Sequence, residues 1–219
     1  MARAARSQIL ARLRAAPTQV VAAPDPAAFF NQQPGEDLAA RVERLALNLK
    51  NAMAEVHRTT SAGLADALAK VIQEKSLKRV AVGGELLVRQ SLCDGLQAVC
   101  TLHPVQTAHT EQRALFAEVD AGLTWSDASI AETGTIVLRS GPQSPRLLSL
   151  VPAVHIVVVE AQRVYDTLFD LMQQETWANG LPTNVVLVSS PSKTADIQQV
   201  LAYGAHGPKQ LVVMLVEDH

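Results

Sequence analysis

The sequence predicts an α/β fold: a mostly parallel sheet with helices on both faces, preceded by a helical N-terminal arm. Two observations support this prediction. Short apolar runs alternate with helix-like segments over most of the chain, and such alternation is typical of parallel sheets. Hydrophobic residues make up 48% of the 219 residues and aromatic residues only 4%, so the core is aliphatic, as buried parallel strands usually are.

Residues 1–60 are predicted to form the helical arm and residues 61–219 the α/β core, as parts of one domain. Residues 3–16 form an Arg-rich segment with an apolar stripe, which favours a surface helix over a transit peptide. Four prolines then interrupt the chain between 17 and 35. From Asp37 to Val56, apolar residues recur every three or four positions, which predicts a second helix.

The core begins with a third helical pattern, Leu64–Ile72, after which the period of the apolar residues changes. Short runs of Val, Leu and Ile predict buried strands, and longer segments between several of them predict helices. The strands are expected at residues 80–82, 119–123, 135–138, 154–159, 185–189 and 211–216, and the helices at 164–174 and 194–203.

Composition argues against several classes of function. The formal net charge of −2 gives no electrostatic footprint for nucleic acid. The two cysteines cannot hold a four-cysteine iron–sulfur cluster or a cysteine-only zinc site, and the six histidines lack zinc-site spacing. The apolar runs are too short to span a membrane. We therefore expect a cytoplasmic protein that binds no metal of its own.

A serine-rich loop after the strand at 185–189 is the first candidate site. We expect it to lead into a helix that opens at Lys193, with Ser192 as the N-cap. The free amides of the first helical turn, the hydroxyls of Ser192 and Thr194 and the Lys193 ammonium would together suit an anion. Ligands of open α/β sheets bind beyond the carboxyl ends of the strands, where this loop is expected. A capped helix without a ligand, stabilised by Asp196, is an equal alternative.

The segment from Thr124 to Thr135 is the second candidate site. A strand is expected to deliver Thr124 to a loop with a short helical turn, after which Glu132-Thr133-Gly134 leads into the next strand. A carboxylate at a strand entrance can act as a base or a nucleophile. Glu132 can equally be a turn-forming acid that accepts hydrogen bonds from nearby amides.

Further polar residues lie near the ends of predicted strands. His206 and Gly207 occupy a helix-to-strand corner, where a lone histidine is more often structural. In a regular parallel unit this corner lies opposite the ligand loop. His206 would join Ser192 only if the last strand were antiparallel, the loop folded over, or another subunit contributed. Arg146 could bind a carboxylate or phosphate through two N–H groups, or pair with a local acid, whereas His155 is expected to be a satisfied sheet residue.

Three motifs occur in a fixed order. The first comprises Thr124, Asp127 and residues 130–135 (Ile-Ala-Glu-Thr-Gly-Thr); the second comprises Arg146, Leu150, Pro152 and His155-Ile156; the third comprises 191–197 (Pro-Ser-Lys-Thr-Ala-Asp-Ile) and 204–208 (Gly-Ala-His-Gly-Pro). Together they resemble the signature of the LUD-domain family of the lactate utilisation protein C type, over roughly residues 80–216. Three positions depart from that signature: Ser190 replaces Gly, Lys193 replaces Arg and Gln198 replaces Glu.

The resemblance implies a fold related to ribose-5-phosphate isomerase, CoA transferases and 5-formyltetrahydrofolate cyclo-ligase. It also implies a role in converting L-lactate to pyruvate beside iron–sulfur proteins, with the clusters in those partners and no cofactor bound by this chain. The residues expected to bind a small anionic ligand are Thr124, Thr133, Gly134, Arg146, Ser192, Lys193, Thr194, Asp196, His206 and Gly207.

Three hypotheses of function follow. In the first, the chain is a non-redox subunit of a lactate-oxidising system. In the second, it is a stand-alone isomerase, CoA-transferase or cyclo-ligase-like enzyme, with Glu132 as base or nucleophile and Lys193 as anion anchor. In the third, it is an interaction module whose helices at 3–16 and 37–56 form the partner surface. Whether copies of the chain associate is left open.

Overall fold

The structure, a computed structural model, places most of the apolar runs in strands. The described strands are β1 Glu55–Thr59, β2 Arg79–Val82, β3 Thr101–Pro104, β4 Ala121–Trp125, β5 Ala128–Ile130, β6 Thr135–Ser140, β7 Val154–Glu160, β8 Val164–Tyr165, β9 Asn184–Val188, β10 Lys193–Ala195, β11 Leu201–Tyr203 and β12 Gln210–Val216. The described α-helices are α1 Ala2–Ala15, α2 Leu38–Asn51, α3 Leu64–Glu74, α4 Gly84–Leu87, α5 Gln90–Gln97, α6 Leu147–Leu150 and α7 Leu168–Gln174. The structure describes residues 2–16, 24–25, 27, 35–105, 117–181, 183–195, 201–204 and 206–218.

Six parallel strands form the central sheet, in the spatial order β1-β12-β7-β4-β2-β3. Side chains of one strand alternate between its two faces. In β7, Ile156 packs in the core on one face and Val157 in the core on the other. Helices α3 and α5 cover the first face, with Leu68 and Leu96 fully buried against it. The predicted α/β class with a mostly parallel sheet is therefore confirmed.

The other face of the central sheet packs against a second, four-stranded sheet in the order β8-β5-β6-β9. In this sheet β6 runs antiparallel to both β5 and β9. Ile136 of the second sheet and Val213 of the central sheet share one apolar cluster with Leu45 and Leu49 of α2. Helix α2 is therefore an integral part of the core, because its apolar stripe closes the layer between the two sheets.

The chain divides into two units, residues 1–34 and residues 35–219. In the first unit, α1 occupies the segment predicted to be a helix, and its Ile9 and Leu13 are exposed. The second unit contains α2 and β1, so the predicted boundary at residue 60 falls inside it.

The prediction that the second helix extends to Val56 is wrong. The helix ends at Asn51, and Met53 adopts a left-handed conformation with φ of 70°. Val56 then pairs with Val213 in the central sheet. A helix cannot continue through a left-handed residue, so the apolar spacing from Met53 onward reflects a turn and a strand.

Two predicted helices in the C-terminal part are also corrected. The segment 194–203 contains strands instead: β10 and β11 pair antiparallel, with Lys193 opposite Tyr203. The segment 164–174 is helical only from Leu168, because Val164 and Tyr165 pair with β5. Helix propensity is a weak prior that strand pairing overrides. Among the described helices, none combines the length and the apolar character that crossing a membrane requires.

Candidate functional site

A cavity of about 410 Å³ opens between the central sheet and β9 of the second sheet. It lies at the amino ends of β7 and β12, where His155 and Leu211 line it. Its volume falls within the range of small-molecule sites. We call it the serine cavity, and its polar lining residues are Ser149, His155, Ser189, Ser190, Ser192, Lys193 and His206.

Ser192 joins the loop after β9 to the loop before β12. Its amide donates to the carbonyl oxygen of Pro208 at 2.8 Å, and its own carbonyl accepts from the amide of Gly204 at 2.9 Å. Its hydroxyl accepts from the His206 amide at 3.4 Å. Gly207 is so close that an added β-carbon would lie 3.2 Å from the β-carbon of Ser192. His206 therefore joins Ser192 within one chain, because the two loops run side by side.

Two expectations about Ser192 are wrong. It does not cap a helix, because Lys193 begins the strand β10. The loop also does not lie at the carboxyl edge of the central sheet. The preceding strand β9 belongs to the second sheet, where it pairs antiparallel with β6, and this delivers the loop to the amino ends of β7 and β12.

The electrostatics of the serine cavity favour an anion. Lys193 is exposed at its rim, and the serine hydroxyls add neutral hydrogen-bonding groups. No Asp or Glu occurs among the lining residues that the structure describes. A negatively charged ligand would therefore meet an ammonium and several hydroxyls, with no carboxylate among the described lining residues to repel it.

Thr124 and His155 form a buried pair, of which His155 lines this cavity. The Thr124 hydroxyl and the His155 Nε2 lie 2.9 Å apart, and the two residues are only 2% and 0% exposed. Burial lowers the pKa of His155 to about 3, so its imidazole is neutral at physiological pH. The Nδ1 atom has no hydrogen-bond partner among the described residues. The expected satisfied sheet histidine is thus satisfied at one ring nitrogen only.

A chain of hydroxyls connects the Thr133 turn to the cavity. The side-chain oxygens of Thr133 and Thr135 lie 2.7 Å apart, and those of Thr135 and Ser189 lie 2.8 Å apart. Ser189 lines the serine cavity. Thr133 is therefore linked to the site through two hydrogen bonds.

Glu132 lies in the turn of the β5–β6 hairpin. The sequence predicts a loop with a short helical turn before Glu132, but the strand β5 lies there instead. Its side chain is exposed and is absent from the described lining of the serine cavity. Its amide donates to the carbonyl oxygen of Asp166 at 3.0 Å. This geometry is that of a turn residue, and a catalytic role for Glu132 stays a prediction.

The remaining predicted site residues differ in their position relative to the serine cavity. The Arg146 side chain is exposed and is not among the described lining residues, although its carbonyl accepts from the hydroxyl of Ser149 at 3.0 Å. Thr194 lies in β10, where its backbone pairs with Ala202. Asp196 lies outside the described residues. Within the part of the chain that the structure describes, no group of three potential metal ligands occurs.

A second cavity, of about 390 Å³, lies at the carboxyl edge of the central sheet. Arg89 stacks over Trp125 in its wall, 3.8 Å from the ring centroid. The general rule for open α/β sheets favours this edge. The three sequence motifs contribute to the described lining of this cavity only through the strand β4, which carries Trp125. The serine cavity is therefore the stronger candidate.

The residues predicted to bind the ligand do not include four polar residues that line the cavity: Ser149, His155, Ser189 and Ser190. His155 carried a signal, since it belongs to the second motif. That motif could not show which ring nitrogen has a partner. For Ser189, the sequence predicts only a position at the end of a strand.

Comparison with known proteins agrees with these motifs. The LUD domain family model matches residues 42–216. The chain is 35% identical to an uncharacterised protein of Neisseria meningitidis serogroup B, over 98% of this chain and 95% of that protein. It is 30% identical to lactate utilization protein C of Halalkalibacterium halodurans and 29% identical to lactate utilization protein C 1 of Bacillus mycoides, in both cases over 75% of this chain and 74% of the other.

The fold also matches a solved structure. A DUF162 family protein from Deinococcus radiodurans superposes with a TM-score of 0.59 at 22% identity, covering 83% of this chain and 99% of that one. This likeness shows the fold alone. The motifs, the family model and the Neisseria relative establish that the chain belongs to the LUD domain family.

Proposed function

We propose that this protein serves the utilisation of L-lactate in the cytoplasm, as a non-redox subunit that binds a small anionic carboxylate in the serine cavity. Its family includes proteins named for lactate utilisation. The observation that carries the proposal is that Ser192, Lys193 and His206, taken from separate parts of the third motif, line one cavity without a described carboxylate.

The charge of the cavity and the names of the lactate-utilisation relatives support the proposed ligand. Lactate and pyruvate are small monocarboxylates with one further oxygen. The Lys193 ammonium at the rim would pair with the carboxylate, and the neutral serine hydroxyls would bind the remaining oxygen. No step of electron transfer is assigned to this chain.

Electrons would instead pass to iron–sulfur partner proteins. The 219 residues contain two cysteines. The Cys93 thiol is buried and donates to the carbonyl of Leu86, and the Cys100 thiol donates to the carbonyl of Leu96. Because both thiols donate hydrogen bonds to helix carbonyls, they are poor candidates for ligands of an iron–sulfur cluster shared with a partner. Accordingly, the isolated chain should bind L-lactate without oxidising it.

Growth on L-lactate tests the role. In the native host, with other L-lactate dehydrogenases inactivated, deletion of the gene should abolish growth on L-lactate but not on pyruvate. The wild-type gene should restore growth. Lys193→Met should not, whereas the control Lys70→Met should, because Lys70 lies exposed on α3. Undiminished growth of the deletion strain on L-lactate would contradict the proposal.

Thermal unfolding of the purified chain tests the ligand. A ligand at about a hundred times its dissociation constant stabilises the folded protein by about 2.7 kcal/mol. L-lactate or pyruvate should raise the melting temperature of the wild type and of Lys70→Met, and should leave that of Lys193→Met unchanged. An equal rise in all three proteins would exclude Lys193 as the anchor of the carboxylate.

A further inference from the structure

The surroundings of the Thr124–His155 pair determine which of the two side chains donates the hydrogen bond between them. The two residues come from adjacent parallel strands, in which Thr124 is opposite Val157 and His155 is opposite Gly122. Their side chains therefore lie diagonally across one face of the sheet. The Thr124 hydroxyl and the His155 Nε2 lie 2.9 Å apart, and both residues are buried.

Only one tautomer of His155 keeps the pair nearly satisfied. If Nε2 carried the proton and donated to Thr124, the buried Thr124 hydroxyl would need another acceptor. Among the described residues, Thr124 has His155 as its only side-chain partner. The Nδ1 atom would then also lack a donor, so two buried groups would be unsatisfied. If the Thr124 hydroxyl donates to Nε2, the proton lies on Nδ1 and one unsatisfied group remains.

That remaining group belongs to a residue that lines a ligand site. His155 lines the serine cavity together with Ser149, Ser192 and Lys193. Its imidazole is fully buried, and Nδ1 has no partner in the described part of the chain. A buried donor without an acceptor is unfavourable, so an oxygen atom that reached Nδ1 from the cavity would satisfy it.

Lys193 and His155 differ in charge and in depth within the cavity. Lys193 is exposed and charged, whereas His155 is buried and, since burial lowers its pKa to about 3, neutral. A carboxylate loses less hydration free energy at the exposed rim, next to the ammonium. An uncharged keto or hydroxyl oxygen is better suited to the buried neutral donor.

We infer that His155 is a ligand-binding residue, whose imidazole is oriented by Thr124 and donates from Nδ1 to the C2 oxygen of a small 2-oxo or 2-hydroxy monocarboxylate. This inference rests on the proposed function for its ligand class, and names the residue that distinguishes lactate and pyruvate from simple carboxylates. Thr124 acts through His155 and is a positioning residue.

The tautomer can be measured without any ligand. In protein labelled with ¹⁵N-histidine, imidazole NMR correlations separate protonated from bare ring nitrogens, and the His155→Asn spectrum identifies the His155 signals. We expect a proton on Nδ1 in the wild type. Thr124→Val removes the donor to Nε2 at nearly constant volume and should abolish this preference. A proton on Nε2 in the wild type would overturn the inference.

Binding measurements test the ligand contact. Pyruvate and L-lactate should shift the His155 Nδ1–H signal and bind at least tenfold more tightly than propanoate, which lacks the C2 oxygen. His155→Asn places an amide nitrogen near the position of Nδ1 and should retain this preference. His155→Gln places its amide nearer to Nε2, and His155→Leu has no donor, so both should lose it. If a water molecule alone satisfies Nδ1, pyruvate will leave the signal unchanged, which overturns the inference.

The outcomes separate this inference from the proposed function. If pyruvate and propanoate bind equally and Lys193→Met abolishes the binding of both, the anion site is supported and the role of His155 is overturned. If no monocarboxylate binds the wild type, the ligand of the proposed function and the His155 contact both fall. A preference for pyruvate that His155→Leu removes supports both.

Discussion

Gly134 lies directly against Asn48, so that the turn of the β5–β6 hairpin rests on helix α2. A β-carbon added to Gly134 would lie 2.7 Å from the Asn48 β-carbon. The Asn48 amide nitrogen donates to the carbonyl oxygens of Ala131 at 2.9 Å and Glu132 at 3.1 Å. Helix α2 thereby fixes the turn from which Thr133 connects to the serine cavity.

Gly134→Ala is expected to destabilise the protein by roughly 2–4 kcal/mol. Gly134 adopts φ of 61°, which disfavours any residue with a β-carbon, and the new methyl would also overlap Asn48. Gly141→Ala is the matched control, because its β-carbon would meet nothing within 4 Å. Urea unfolding should show a reduced midpoint for Gly134→Ala only, and equal midpoints for the two variants would contradict the contact.

Asn48→Ala should cost about 1–2 kcal/mol, because two turn carbonyls lose the hydrogen bonds that the Asn48 amide donates. Asn51→Ala, at the exposed end of the same helix, controls for the change in helix propensity. Hydrogen exchange offers a second readout, since amides of the hairpin turn should lose protection in Asn48→Ala but not in Asn51→Ala. Unchanged protection of these amides would show that the turn does not depend on α2.

Much of the fold could be predicted because buried apolar residues recur in the sequence with the period of the helix or strand that contains them. The long strands β7 and β12 and the amphipathic α3 follow their apolar patterns closely. The pairing of one strand with another produces no such local pattern of apolar residues. The β10–β11 hairpin was therefore expected to be a helix, and the left-handed Met53 that ends α2 early carried no signal.

The candidate site was predictable only in part for the same reason. The third motif gave Ser192, Lys193 and His206, which the structure brings to one cavity. Its location depends on β9 joining the second sheet, a long-range property. Likewise, His155 was recognisable as a strand residue, but whether a described side chain reaches its Nδ1 depends on the packing in three dimensions.

Gly122→Ala is expected to destabilise the protein by about 3 kcal/mol or more, through steric overlap. A β-carbon at Gly122 would overlap the carbonyl oxygen of Leu148 in α6, and would lie 3.2 Å from the Pro152 ring. Because the neighbouring Ser149 lines the serine cavity, ligand affinity should fall as well.

Gly95→Ala provides a control of opposite sign for Gly122→Ala. Gly95 lies within α5, and its β-carbon would make an ordinary contact of 3.5 Å with Ala65. Alanine replaces glycine favourably in a helix, by about 0.5–1 kcal/mol. Thermal unfolding should therefore show a lower melting temperature for Gly122→Ala and an unchanged or higher one for Gly95→Ala. A Gly122→Ala protein as stable as the wild type would disprove the close approach of α6 to β4.

The buried His155 should make stability depend on pH in the mildly acidic range. Burial lowers its pKa to about 3, whereas a histidine in the unfolded chain titrates near 6.5. Above about pH 6.5 the imidazole is neutral in both states and contributes no pH dependence. Below that pH the unfolded chain takes up a proton that the folded protein does not, so the free energy of unfolding falls as the pH falls, by up to about 1.4 kcal/mol per pH unit.

Urea unfolding of the wild type and His155→Asn at pH 7.5, 6.0 and 5.0 would measure this contribution. The difference between the two proteins cancels the titration of groups that both contain, such as Glu85 and Asp127, whose pKa values burial raises. The wild type should lose more stability than His155→Asn between pH 6.0 and 5.0, and the two should be parallel above pH 6.5. Parallel behaviour over the whole range would mean that His155 accepts a proton in the folded state, and that the imidazole is not held neutral where it lines the cavity.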